Sequence, residues 1–95
     1  MAFRVFESKQ QIIDYVNIGR KLGDDKKPLY TIDDIHEGVP DEVCLCWGIT
    51  DDNQVLSNVG YYKDKHEWWI CYIVDGLIHE RKVNENIVSY IKYDK

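Results

Sequence analysis

Three cysteines (Cys44, Cys46, Cys71) and three histidines (His36, His66, His79) are the side chains of this chain best suited to binding a metal or moving a proton. Thiolates joined by His66 or His79 would fit a tetrahedral zinc site by ligand type. The spacing argues against it. Cys44-x-Cys46 is too short for a zinc knuckle, and no second Cys-x-x-Cys follows. Two cysteines two apart in a strand are also too close for ordinary disulfide geometry, and an odd total is a poor disulfide framework. Free thiols acting as small packing residues are the expectation, with no metal and no cofactor. His36 stands among Asp33, Asp34 and Glu37, and His66 between Asp64 and Glu67. Such neighbours suit an acid–base pair or a pH sensor, but local clusters of this kind are more often solvated turns. No Gly-x-Ser-x-Gly, His-Glu-x-x-His or phosphate-cradling glycine loop is present, and Asp51-Asp52-Asn53 lacks the spacing of a calcium loop. An enzyme is not expected.

Charge and aromatic content carry more information. From Pro28 to Tyr62 there is no Lys or Arg, while Asp33, Asp34, Glu37, Asp41, Glu42, Asp51 and Asp52 all fall there. That segment carries −7 of a chain whose net charge is −5. A wide negative field repels nucleic-acid backbone and attracts basic surfaces, so direct nucleic-acid binding is not expected and a protein partner with a basic surface is. The second constellation is Trp47, Trp68, Trp69, Tyr61, Tyr62, Tyr72, Tyr90 and Tyr93. Most belong in a core, yet strand alternation cannot bury both Trp68 and Trp69, or both Tyr61 and Tyr62, on one face. One of each pair should be partly exposed, where Trp and Tyr make contact hot spots.

The elements that position these residues follow from the pattern. Trp68–Val83 reads as a hairpin around Asp75-Gly76, because a type I′ turn needs φ > 0 at both central positions. Its register pairs Val74 with Leu77, Tyr72 with His79, Ile70 with Arg81 and Trp68 with Val83 on one face. Ile73 with Ile78, Cys71 with Glu80 and Trp69 with Lys82 share the other. The first set is more apolar and is assigned to the core under the helix. Trp69 then lies on the polar face with Lys82 over its ring, and the register places Tyr62 beside it.

Before the hairpin, Phe3–Phe6 is an edge strand or an apolar lead-in. Ser8 and Gln11 have capping-box spacing for a helix from Lys9, with Ile12, Ile13, Tyr15, Val16, Ile18 and Leu22 as its apolar stripe. Lys9, Asp14, Asn17, Arg20 and Lys21 fill the polar side, Gly19 permits close approach to a sheet, and Gly23 ends the helix. Asp24–Pro28 reads as a polar loop, and Thr31 caps a short turn that ends by Gly38 and Pro40. From Glu42, the residues Val43, Leu45, Trp47 and Ile49 face one way and Cys44, Cys46 and Gly48 the other. Val55–Lys63 and Ile87–Tyr93 complete the strands. The expected fold is α+β: one N-terminal helix on a four- to five-stranded antiparallel meander, curling toward a partly open small barrel.

Pro40, Glu42, Val43 and Leu45, then Gly60-Tyr61-Tyr62, Trp68-Trp69 and Ile87–Tyr90 together resemble a family of small phage and prophage proteins catalogued as a domain of unknown function. The resemblance covers residues 40–93. It implies a mobile-element origin, in which a short acidic protein acts by occupying a host protein.

Ninety-five residues with 44% apolar and 31% charged content make one domain, 1–95, able to close a core without staples. The longest apolar run, Trp68–Val74, is too short to span a bilayer, and no basic-then-apolar leader follows Met1, so a cytoplasmic setting is expected. The functional expectation is a non-catalytic protein-binding module, a phage-type modulator of a host factor. It would dock through Asp33, Asp34, Glu37, Asp41, Asp51 and Asp52, with Trp69, Tyr62 and Lys82 as an aromatic patch. The alternative is a small nucleotide-like ligand stacked on Trp69 or Tyr62 and anchored by Arg81 or Lys82. Self-association through the last strand or the aromatic face is a further reading, since an unpaired edge is a pairing template.

Overall fold

The computed structural model describes residues 4–23 and 30–93. Helix α1 (Lys9–Gly23) begins where Ser8 and Gln11 direct it. The Ser8 hydroxyl accepts the Gln11 N–H at 3.3 Å, and the Gln11 side chain accepts the Glu7 N–H at 2.9 Å. Donors that a helix start leaves unpaired are thus satisfied by side chains. Ile12, Ile13 and Val16 are buried, whereas Ile18 is exposed. At about 100° per residue Ile18 falls on the far side of the helix from the other three, so it does not belong to their stripe. The expectations for Phe3, for the side chains of residues 19–22, for the cap at Gly23 and for the 24–28 loop lie outside the described residues.

The strands are β1 (Arg4–Val5), β2 (His36–Glu37), β3 (Cys46–Thr50), β4 (Gln54–Tyr62), β5 (Glu67–Val74), β6 (Leu77–Lys82) and β7 (Ile87–Lys92). Six of them form one antiparallel sheet in the order β2-β7-β3-β4-β5-β6, and the two-residue β1 pairs beside β4. Only β3 to β6 form the expected meander. The last strand does not extend it. β7 lies between β2 and β3, so it is an interior strand, covered on its outer side by the short β2 at Ser89 and Tyr90. Thr31 does start a short 3₁₀ turn, Ile32–Asp34, where Asp34 accepts the Thr31 N–H at 2.8 Å. The chain then turns directly into β2, and His36 pairs with Tyr90 instead of sitting in a solvated turn.

Four residues separate β6 from β7, and they force the sheet to bend. A flat sheet would place these strands four spacings apart, about 19 Å, while the five steps from Lys82 to Ile87 reach about 17 Å when fully extended. The curvature shows in Trp68 of β5 and Tyr90 of β7, whose rings lie 6.2 Å apart although two strands stand between them. A bulge in β4 contributes, since three steps on β4 oppose two on β3 between the Gly48 and Cys46 pairings. Asn58 in the bulge has φ 59°, a conformation Asn tolerates better than most residues. The Tyr93 hydroxyl holds it, accepting the Asn58 N–H at 2.6 Å and donating to its side-chain oxygen at 2.9 Å. No ladder joins β2 to β6 among the described residues, so the sheet is curved but open.

Curvature creates two cores. On the convex face Ile12, Ile13 and Val16 of α1 pack with Phe6, Tyr30, Ile49, Val55 and Ile91. Tyr30 is clamped there by Asn17, whose side-chain amide makes two 2.9 Å hydrogen bonds to its backbone. On the concave face Cys46, Leu56, Val59, Tyr61, Trp68, Val83, Ile87 and Tyr90 close on one another. Trp68 is therefore buried on the face opposite the helix, not under it. Gly48 makes the concave packing possible: a Cβ there would lie 2.8 Å from Ile87 Cδ1 and 3.0 Å from Val59 Cγ2. Both faces of β3 are covered, which is why Cys46 and Gly48 are as buried as Ile49. Val43 and Leu45, expected to share one face of a strand with Trp47 and Ile49, precede β3 and are exposed.

Candidate functional site

The β5–β6 hairpin has the expected register throughout. Val74 pairs with Leu77, Ile73 with Ile78, Tyr72 with His79, Cys71 with Glu80, Ile70 with Arg81 and Trp69 with Lys82. Asp75 (φ 52°) and Gly76 (φ 79°) supply the left-handed turn, and the Val83 N–H donates to the Trp68 carbonyl at 2.9 Å. Its two ends differ in environment. At the base Trp68 and Val83 are buried, while toward the turn Ile73, Ile78 and Leu77 are 73%, 76% and 66% exposed. Tyr72 and Val74, expected in the core, are exposed as well, because β5 parts from β4 after the Val59–Ile70 pair and β1 takes its place beside the far end of β4.

Tyr62 and Trp69 are half-buried and meet edge-to-face with ring centroids 5.9 Å apart, while Tyr61 and Trp68 are buried. The residue over the two exposed rings is Lys65, from the β4–β5 turn, rather than Lys82. Its Nζ lies 5.2 Å from the Trp69 centroid and 5.6 Å from that of Tyr62. Lys82 instead pairs with Glu67 at 3.0 Å, the register setting Lys82 beside Trp69 and so diagonal to Glu67 on the same face. That hydrogen bond outweighs partial desolvation and holds the Glu67 carboxyl below the usual range. Trp69 Nε1 donates to the same carboxylate at 3.3 Å.

Beside the rings lies a groove of about 260 Å³, walled by Val43, Leu45, Tyr62, Trp69, Cys71 and Glu80. It forms where the chain passes over Gly60, the Cys44 carbonyl lying 3.5 Å from the position a Cβ would take there. Its charged group is an acid. Glu80 accepts the Tyr62 hydroxyl at 2.8 Å and the Cys71 thiol at 3.6 Å. The first bond pushes the Tyr62 phenol above its usual value, and burial followed by the Glu80 charge pushes up the Cys71 thiol. Arg81 belongs to the opposite face of the hairpin and Lys82 is engaged with Glu67, so neither stands as the anchor expected for a nucleotide. The pairing of Cys71 with Glu80 on the Trp69 face was readable in the register. Nothing in the sequence pointed to Lys65.

The acids of the β3–β4 turn and the aromatic rings do not form one surface. Glu37 and Asp51 share a second groove with Lys9, where Glu37 and Lys9 lie 3.6 Å apart. Asp51 accepts from Asn86, Asp52 from Thr50 and Gln54, and Asp34 from its own turn. Those contacts hold the Asp52 carboxyl low, Thr50 contributing most. Asp33, Asp41 and Glu42 are exposed. The turn with Asp51 and Asp52 and the Tyr62–Trp69 rings are at opposite ends of β4, separated by roughly 25 Å along the strand. Only Asp41 and Glu42, leading into Val43, approach the aromatic groove in sequence.

The cysteines are free. Cys44 and Cys46 place their sulfurs 3.5 Å apart, and burial, reinforced by Cys44, pushes the Cys46 thiol up to about 12. Such a thiol stays protonated and inert. Among the described residues no three His, Cys, Asp or Glu side chains are grouped to hold a metal, and no helix is long and apolar enough to cross a membrane. No family model matches the chain, and neither a curated protein nor a solved structure is significantly similar to it.

Proposed function

We propose that the chain is a non-catalytic protein-binding module whose contact surface is the outer half of the β5–β6 hairpin with the adjoining Tyr62–Trp69 groove. One observation carries this reading. Tyr72, Ile73, Val74, Leu77 and Ile78 form three successive cross-strand rows whose apolar side chains are exposed, Ile73 and Ile78 to about three-quarters of their area. Ile73 and Ile78 are exposed on the Trp69 face of the ribbon, and Tyr72, Val74 and Leu77 on the other. Exposed apolar area of this kind is typical of an interaction surface, and β6 adds an edge with no strand beside it among the described residues. The negative Pro28–Tyr62 segment supports a basic partner through steering over distance, its Asp51–Asp52 turn being away from the aromatic rings. The resemblance to phage and prophage proteins suggests the setting: a mobile-element modulator that occupies a host factor.

The test compares the native chain with an Ile73→Asp/Ile78→Asp variant, both immobilised and challenged with bacterial lysate. Both positions point into solvent, so circular dichroism should coincide. A partner kept by the native chain and lost by the variant is the expected outcome. A partner held equally by both would overturn the assignment of the surface. If neither retains a partner and the native chain sediments as a monomer at every concentration, the binding-module reading falls.

A further inference from the structure

The groove beside Trp69 has a chemical preference that the exposed hairpin end lacks. Two aromatic rings at 5.9 Å supply electron-rich faces, and a cation already rests on them, the Lys65 ammonium at 5.2 and 5.6 Å. The groove's charged group is the Glu80 carboxylate, which bonds Tyr62 and Cys71 and has no ion pair among the described residues. With about 260 Å³ it falls below the roughly 300 Å³ at which pockets for whole small molecules begin, and suits a single side chain. A phosphate-bearing ligand would meet a carboxylate there. A guanidinium would meet two rings on which to stack and an acid that can accept it in bidentate fashion.

We infer that this groove receives an arginine side chain from a basic segment of the partner protein. The incoming guanidinium displaces Lys65 from the Tyr62 and Trp69 rings and pairs with Glu80. The inference rests on the protein-binding reading above and names the partner's chemistry. Lys65, on a four-residue turn and exposed, can leave without disturbing the ladder. The remaining charged pair on this face, Lys82 with Glu67, stays in place and helps hold Trp69 through its indole N–H.

The experiment follows the Trp69 indole N–H by nuclear magnetic resonance during titration with capped pentapeptides that carry one central arginine, lysine or citrulline between glycines. The arginine peptide should shift that resonance saturably at millimolar concentration, with lysine weaker and citrulline silent. Glu80→Gln should weaken arginine binding about tenfold, since a charge-assisted bond is replaced by a neutral one. Lys65→Ala should tighten it by about threefold, because no resident cation has to be displaced. A resonance that does not move, an equal response to citrulline, full affinity in Glu80→Gln, or no tightening in Lys65→Ala would each overturn the inference. Should the peptides fail while capture through Ile73 and Ile78 persists, the arginine groove is wrong and the binding module stands. Peptide binding together with a captured partner that Ile73→Asp/Ile78→Asp still holds would instead keep the arginine groove and remove the hairpin end as a contact surface.

Discussion

The base and the outer half of the β5–β6 hairpin have nearly the same sequence character and opposite fates. Trp68, Ile70 and Val83 at the base, and Tyr72, Val74 and Leu77 further out, alternate with the same period on the same face. The base is buried because the curled sheet brings Ile87 and Tyr90 across to meet it. The outer half parts from β4 after the Val59–Ile70 pair, beside the Asn58 bulge, and the remaining end of β4 pairs with β1 instead, so the outer half is not packed into the sheet. Alternation decides which side chains share a face. Burial depends on what the rest of the chain places over that face.

Four substitutions test that contrast, beginning with the largest effect. Trp68→Ala should cost about 3–5 kcal/mol in a urea titration, the usual loss for a buried large aromatic. A loss below about 1 kcal/mol would mean the concave core is not closed. Gly48→Ala should cost about 1–3 kcal/mol, since the new methyl would stand 2.8 Å from Ile87 Cδ1 and the well-packed face must shift. If it is neutral, the connection from β6 to β7 does not press on β3. Ile73→Thr and Ile78→Thr, in contrast, should stay within about 0.5 kcal/mol, as exposed positions do. A larger loss would show the outer half buried by self-association, which would appear as concentration dependence.

The smallest effect is in pH. The Glu67 carboxyl is depressed in the folded chain by Lys82, so its contribution is present at neutral pH, above the ordinary carboxyl range, and is lost as pH falls through the lowered value. Asp52, held low by Thr50 and Gln54, acts in the same direction. Glu67→Gln should therefore flatten part of the acid limb of a stability–pH curve read by tryptophan fluorescence. An unchanged slope would assign that limb to Asp52 or other groups.

Much of the local structure was legible in the residues. Asp75-Gly76 requires left-handed conformations and so set every cross-strand pair of the hairpin. Ser8 and Gln11 marked the start of α1. The adjacent pairs Tyr61-Tyr62 and Trp68-Trp69 had to send one member of each outward, and Tyr62 and Trp69 are the two that emerged. These are short-range consequences of turn chemistry, capping and a two-residue period.

Tertiary structure decided the rest. It put β7 between β2 and β3, added His36–Glu37 as a strand, and placed Trp68 on the face away from the helix. It also left the hairpin end bare, set Lys65 instead of Lys82 over the rings, and put Asp51 and Asp52 at the end of β4 away from those rings. None of these can follow from periodicity, because pairing between distant strands depends on a curved sheet that exists only once the whole chain has closed. A sequence of alternating residues states that a strand has two faces. The fold alone determines which of them meets protein and which meets water.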